Sequence, residues 1–569
     1  MKQARSFDEL RALSGNWLSR EALPAWIENG YDQRLELFHE RLSFSAQPLS
    51  DLPRRLMVQC RQLYVLAQLT CRGMRDDRAL IAQTWESVKR YFYRPALSHR
   101  WAFSIDPDGD VADPRCDTYT LAFLLFTLAW LYRVQPNQDY LDQVDEVLTL
   151  LDGPLAASSH GLIDAVPRPD GFLRQNPHMH LLEAFLELHE STGRADYLDR
   201  ACALHALFSS RMLWRAQEAL PELHDDDWQP ARPDDNWYEP GHHFEWVWLL
   251  RRLSKATGID VDQDVRLLLS RAIAEGIDAE GFAIERVGIH NQSAWNSRRL
   301  WGTCEYLKAC AAEAEAAPSE SEAWRSRANS ALAAIHDHFL QTAYHGLWND
   351  RLDADGSRLS ADVPASSLYH LVLAIMECER VFGRVVPPSR PEPGRMRALF
   401  LDRDGVINVD TGYPRKPADI TFVEGAMEAI QQAQTYGYRV VVVSNQSAIA
   451  RAYATEAEVM QLHSWMAKQL EAQGAVVDAW YHCPFHHEAQ NPVYLHPDHF
   501  DRKPNPGMIL RAAQDLNIDL TRSQMIGDNP SDVEAARRAG VSGHLFTGGN
   551  LALFAREVLM PRPISEASK

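Results

Sequence analysis

Two aspartates separated by one residue, Asp402 and Asp404, stand in the run Phe400-Leu401-Asp402-Arg403-Asp404-Gly405-Val406-Ile407-Asn408. Like charges this close repel, and they become useful when a divalent cation neutralises them. A hard ion such as Mg2+ takes one or two carboxylates together with a substrate phosphate. Asp402 then suits the nucleophile that accepts a phosphoryl group, and Asp404 the general acid/base that protonates the leaving oxygen. A lone DxDG reads equally well as a solvated strand-end turn, but partners follow in order. Ser444-Asn445-Gln446 can hydrogen-bond phosphoryl oxygens, and Lys503 in Asp501-Arg502-Lys503-Pro504 brings positive charge to the phosphate and the aspartate. Gly527-Asp528-Asn529-Pro530-Ser531-Asp532 adds further carboxylates, so Mg2+ is expected on Asp402, Asp404 and Asp528. Arg451 and Arg502 are candidate contacts for substrate phosphate or hydroxyls, although Arg451 reads as readily as a surface arginine.

A second set of residues lies far upstream. Asn176-Pro177-His178-Met179-His180 and Glu239-Pro240-Gly241-His242-His243-Phe244-Glu245 open two helices, and Ser367-Leu368-Tyr369-His370 opens a third. In the first two, Pro or Gly just before the histidines places them in the first turn, where the positive end of the dipole predicts neutral rings. A neutral imidazole can move a proton on carbon beside a carbonyl. Any one of these histidines is more often a satisfied core residue; several together, with Arg55, Arg61, Asp117, Tyr119, Arg299 and Glu305, are harder to read that way. Trp101, Trp237, Trp246 and Trp301 can stack on sugar faces, with core packing the default for each.

The elements that must position these groups differ between the two halves. Upstream, apolar residues recur at helical spacing over Leu56–Cys71, Asp117–Arg133, Met179–Thr192, Phe244–Ala256, Trp301–Ala312 and Ser366–Val381, with no run of alternating strands. About a dozen helices in hairpins predict an all-α domain over residues 1–384. Four prolines and a glycine make 385–396 the expected linker. From 397 to 569, short apolar runs such as Arg397–Leu401 and Arg439–Ser444 alternate with helices. That pattern predicts a doubly wound α/β domain with its site at the strand C-termini.

Composition limits the partners. With 58 Lys+Arg against 77 Asp+Glu, the formal charge of -19 disfavours nucleic acid. No stretch approaches the roughly 18 apolar residues of a membrane span, and the N-terminus lacks a signal-peptide core. Eight scattered cysteines read as reduced thiols. A cytoplasmic enzyme acting on a small sugar or sugar phosphate, with no nucleic acid or membrane partner and homo-oligomerisation left open, is the expectation.

The segment Arg397–Phe554 resembles the haloacid dehalogenase (HAD) phosphatase superfamily. DRDGVIN, SNQSAIAR and DRKPNPGM are similar to the subgroup of heptose bisphosphate and histidinol-phosphate phosphatases. The short spacing from Asn408 to Glu424 leaves no room for a cap domain. The resemblance implies a structural zinc on the loop before Lys503, yet the corresponding positions read Cys483, Phe485, His499 and Asp501. Histidines crowd that loop, so a rewired zinc set of Cys483, His486, His499 and Asp501 stands beside the alternative of a solvated polar loop.

Residues 15–383 resemble the N-acylglucosamine 2-epimerase superfamily of (α/α)6 barrels, through RRLMVQCRQLYV, NPHMHLLEA, EPGHHFEW, RLWGTCEYLK and SLYH. The resemblance implies His242 and His370 as the acid/base pair, with His180, Glu245, Arg55 and Glu305 positioning hydroxyls and polarising the carbonyl, and no metal. In the DTYTLAF stretch Leu121 replaces a histidine often found there, which leaves the identity of the sugar open. A bifunctional isomerase or 2-epimerase and Mg-dependent phosphatase is the leading expectation. A phosphatase carrying a catalytically silent helical scaffold is the alternative.

Overall fold

The computed structural model describes residues 5–559 apart from 73, 158–159, 233, 291–293, 383–395 and 497. The chain divides into two units, Met1–Thr70 with Asp77–Gly383, and Cys71–Asp76 with Arg384–Lys569. The expected linker 385–396 lies, except for Met396, outside the described residues.

The first unit is an (α/α)6 barrel. Its inner helices are α1 (Leu56–Cys71), α2 (Thr118–Val134), α3 (Gln175–Thr192), α4 (Pro240–Thr257), α5 (Leu300–Ala316) and α6 (Ser367–Phe382). Every residue from Leu56 to Thr70 of α1 is buried, as a helix surrounded by others requires. The outer helices bury one stripe only; Arg78–Phe92 covers Ile81, Trp85, Val88 and Phe92 and leaves its other face wet.

Polar residues on α1 close the ring rather than weaken it. Gln62 donates to the Ala365 carbonyl at 2.8 Å before α6, and Thr127 of α2 donates to the Cys60 carbonyl at 3.0 Å. The last turns of the inner helices are tied by buried ion pairs, Glu187 with Arg133 (3.0 Å) and Arg252 (2.8 Å), and Arg251 with Glu313 (2.6 Å).

The first unit is not free of strands. Ile284–Gly288 and Ala294–Arg299 pair antiparallel, flanked by Trp237–Tyr238 and Arg351–Leu352 in a four-stranded sheet. Two-residue strands also lead into α1, α2 and α6. Most of these ribbons are too short to show an alternating pattern, which is why periodicity misses them. They hold the chain where it enters the inner helices.

The second unit carries a five-stranded parallel sheet of β1 (Arg397–Leu401), β2 (Tyr438–Asn445), β3 (Ala479–Cys483), β4 (Gln524–Gly527) and β5 (Ser542–Leu545), ordered β3-β2-β1-β4-β5. Leu401 pairs with Val442 on one side and Ile526 on the other, so Asp402, Ser444 and Asp528 lie together at the carboxyl end of the sheet. Helices cover both faces, giving two cores around alternate residues of β1 and β2. Among the described residues, no helix is long and apolar enough to cross a membrane.

Candidate active sites

At the carboxyl edge of the sheet, Asp402 follows β1 and is buried. Lys503 Nζ lies 2.8 Å from its Oδ1, 2.7 Å from Asp532 Oδ1 and 2.8 Å from the Val443 carbonyl. Burial pushes the Asp402 carboxyl up to about 7, with Lys503 opposing and Asp532 adding to the rise. Three carboxylates, Asp402, Asp528 and Asp532, bring ligand oxygens within 4.8 Å of one another. Against them stands one lysine. Hard oxygen donors with this excess of negative charge fit a Mg2+ ion.

Gly405 makes the approach of Asp528 workable. Its φ is +81°, and a Cβ there would meet Asp528 Oδ2 at 2.0 Å.

The cluster differs from the expected Asp402, Asp404 and Asp528. The Asp404 carboxylate is held elsewhere, by Arg403 at 2.8 Å, Asn408 at 3.0 Å and Gln446 at 3.0 Å, and Asp532 completes the acidic group. Gln446 also donates to Ser444 Oγ at 2.8 Å, so Asp404 remains coupled to the serine. Asn445 is used differently too: both ends of its amide bond the Lys503 backbone at 3.0 Å, which fixes the lysine and leaves little for substrate. Arg502 donates to the Phe485 carbonyl at 3.0 Å, and Arg451 approaches His486 at 3.5 Å while pairing with Glu488 at 2.9 Å.

The expected zinc set is not assembled as four ligands. Cys483 Sγ and His499 Nδ1 lie 3.9 Å apart, a spacing that one ion could bridge, but His499 stacks on Phe485 with centroids 3.8 Å apart and Asp501 is paired with Arg511 at 2.8 Å. Among the described residues, no group of three ligand atoms includes Cys483. The phenylalanine in place of a ligand turns that part of the loop into an aromatic stack.

In the barrel, the first turns of the inner helices converge. His242 Nδ1 lies 2.7 Å from Glu222 Oε1, and His370 Nδ1 lies 2.7 Å from Glu305 Oε1. In each ring the carboxylate takes Nδ1, leaving Nε2 for a substrate. Trp301 stands beside both, its ring 5.0 Å from His242 and 5.7 Å from His370. It reaches there because residue 241 is glycine; a Cβ would meet the indole at 2.5 Å.

The expectation of a neutral ring fails at His242, while His370, at the third helix start, is held neutral. Burial favours the neutral form at both. At His242 burial is outweighed by Glu222 in direct contact acting together with Glu239 and Glu245, and the ring is lifted to about 9. At His370, burial joined by Arg61 and Lys308 holds the ring well below its ordinary value. Both rings touch a carboxylate at 2.7 Å, so it is the neighbouring cations at His370 and the further carboxylates at His242 that separate them, and at His242 these exceed a helix dipole worth roughly 0.3–1 kcal/mol.

Two other helix-start histidines are core residues. His178 accepts from Leu162 N–H at 3.0 Å and His243 from Leu220 N–H at 3.0 Å, and each donates its Nδ1 hydrogen to a carbonyl. Burial lowers them to about 4 and about 3. His180 instead bonds Glu183 at 3.1 Å and lies 4.0 Å from Glu245. Arg55 is engaged by Glu40 at 2.8 Å. Trp101 and Trp246 are packed in the core, against Trp85 and Phe208. Glu222 and Lys308 are the members that sequence reasoning missed.

The N-acylglucosamine 2-epimerase (GlcNAc 2-epimerase) family matches residues 38–374, and a HAD-hydrolase-like family matches residues 500–558. The mannose-6-phosphate isomerase of Rhizobium meliloti is 32% identical over 389 residues, covering 65% of this chain and 96% of that protein. The D-glycero-beta-D-manno-heptose-1,7-bisphosphate 7-phosphatase of Mesorhizobium japonicum is 40% identical over 191 residues, covering 34% of this chain and 84% of that protein. The cellobiose 2-epimerase of Bacillus thermoamylovorans shares the barrel fold, with a TM-score of 0.58 at 17% identity over 64% of this chain and 99% of that one. The chain belongs to the N-acylglucosamine 2-epimerase family, and it is a bifunctional sugar enzyme that joins an isomerase/epimerase domain to a HAD phosphatase domain.

Proposed function

We propose that the barrel interconverts an aldose and a ketose, with a hexose phosphate of the mannose 6-phosphate kind as substrate, and that the second unit hydrolyses a sugar phosphate ester. The observation that carries the first half is the pair His242 and His370, both beside Trp301, one charged and one neutral. Neutral His370 takes the proton from C2 of the open-chain sugar while His242 gives one to the carbonyl oxygen, leaving a cis-enediol. Return of the proton to C1 completes isomerisation; return to C2 on the other face would be epimerisation. His180, Glu245 and Arg55 would position the sugar hydroxyls, and Glu305 acts through His370 by holding its Nδ1. A silent scaffold would have no use for so many buried carboxylates and two such histidines.

In the second unit Asp402 attacks phosphorus and the leaving sugar oxygen takes a proton from Asp404; water then cleaves the aspartyl phosphate. Lys503 and Ser444 hold the phosphoryl oxygens. Asp402, Asp528 and Asp532 would hold Mg2+, which when bound supplies positive charge against the phosphate. The arginines Arg451 and Arg502, converging on Phe485 and His486, suit a second phosphate of a bisphosphate such as that named for the Mesorhizobium relative.

Incubation with mannose 6-phosphate and with a heptose bisphosphate, read for ketose and for free phosphate, tests both halves. Ketose from the first and phosphate from the second are expected; neither product from either substrate contradicts the proposal.

A further inference from the structure

The barrel buries more charge than a two-histidine shuttle needs. Lys308, on the third turn of α5, has no solvent exposure. Its Nζ lies 2.6 Å from Glu305 Oε2, 3.9 Å from Glu245 Oε1 and 3.8 Å from the centroid of Trp248. An ammonium stripped of water costs several kcal/mol unless its partners repay it. The other oxygen of Glu305 accepts from His370, so Lys308, Glu305 and His370 form one continuous relay. The relay behind His242 is built differently. Glu222 accepts from His242, Gln175 and the Glu239 N–H, and among the described residues it has no ion pair to a lysine or arginine.

We propose that Lys308 is a positioning residue, a fixed internal cation that balances Glu305 and so keeps His370 as the neutral member of the pair, with Nε2 free to take the C2 proton. Glu222 lacks such a cation and leaves His242 charged. This rests on the isomerase reading above. The groups facing His370 are Glu305 and Lys308 on α5, Arg61 on α1, His180 on α3 and Arg299 just before α5, with Tyr369 beside it on α6. Glu305 is pushed up by burial and by Glu245, and Lys308 is the strongest group opposing them. Without the cation the Glu305–His370 pair carries an uncompensated negative charge, which it relieves by taking up a proton. Whichever of the two holds that proton, the base is lost until the pH is raised.

The test is the pH dependence of kcat/KM for exchange of deuterium from a C2-deuterated hexose phosphate into water, using the full chain. For Lys308→Met the acid limb should move upward by about one pH unit or more, a loss of about tenfold on the acid side that recovers on the alkaline side. Lys308→Arg, which keeps the cation, and the double variant Lys308→Met/Glu305→Gln, which removes both charges, should keep the limb at its wild-type position even where kcat is lower. An unmoved limb in Lys308→Met, an equal loss at every pH, or a shifted limb in the double variant would overturn the inference. If Lys308→Met does not fold, Lys308→Gln, neutral but able to hydrogen-bond Glu305, should show the same upward shift, and an unmoved limb in it overturns the inference. Wild-type protein that exchanges no deuterium overturns the isomerase reading itself, and the role of Lys308 with it.

Discussion

Nδ1 of His242 and Oε1 of Glu222 are 2.7 Å apart, and this contact joins the first turn of α4 to a loop 20 residues upstream in the chain. It makes His242 the charged ring of the barrel site. His242 stands at about 9 when folded, above its ordinary 6.5, so the contact stabilises the fold fully below about pH 6.5 and is lost as pH rises through about 9. Isomerisation should therefore fall on the alkaline side near pH 9. Glu222→Gln should move that limb to lower pH, as a pH profile of ketose formation would show. A limb that stays in place would mean that His242 is not the acid.

His243 and His178 should behave as core residues. Each accepts a buried backbone N–H, from Leu220 and Leu162. Leaving that donor unpaired costs about 1–3 kcal/mol. His243→Ala should lower the denaturation midpoint of the barrel while the residual folded fraction keeps its exchange rate per active site. His370→Ala should do the reverse.

Lys503 holds two buried carboxylates, Asp402 and Asp532. Removing one partner of a buried ion pair costs about 3–5 kcal/mol. Lys503→Met should abolish phosphate release and destabilise the second unit by that order in chemical denaturation. Asp402→Asn should cut phosphate release on the order of 10³-fold or more, with far less effect on stability.

Gly405→Ala tests the metal proposal without replacing a ligand. The φ of +81° costs an alanine roughly 1–2 kcal/mol, and its Cβ would displace Asp528. The Mg2+ concentration for half-maximal phosphatase activity should rise severalfold, and titration of Mg2+ monitored by thermal shift should report the same weakening. Chelation with EDTA should stop phosphate release and leave ketose formation unchanged.

What could be read from the sequence follows from how locally each group is placed. Asp402 and Asp528 directly follow a short apolar strand and Ser444 lies at the carboxyl end of one, so the run that forms the strand also points to the residue at its end. His242 and His370 announce themselves at helix starts. Asp532 sits four residues past Asp528 and was visible in the motif, but its share in the acidic cluster depends on how the turn into Pro530–Ala539 folds back. Glu222 lies in a loop without periodicity, and only the tertiary fold brings it to His242. Lys308 is three residues from Glu305, a spacing that puts both on one helix face. A lysine on a surface helix does the same, and burial alone distinguishes them. The failed zinc set has a local reason as well, since Phe485 stands where a ligand would be and stacks on His499.

One chain carries two separate chemistries, one in each unit. The most direct measurement follows ketose formation and phosphate release in parallel for the wild-type protein, Asp402→Asn and His370→Ala. Asp402→Asn should lose phosphate release and keep isomerisation, and His370→Ala should lose isomerisation and keep phosphate release. If either substitution removed both activities from folded protein, or neither, the assignment of one reaction to each unit would be contradicted.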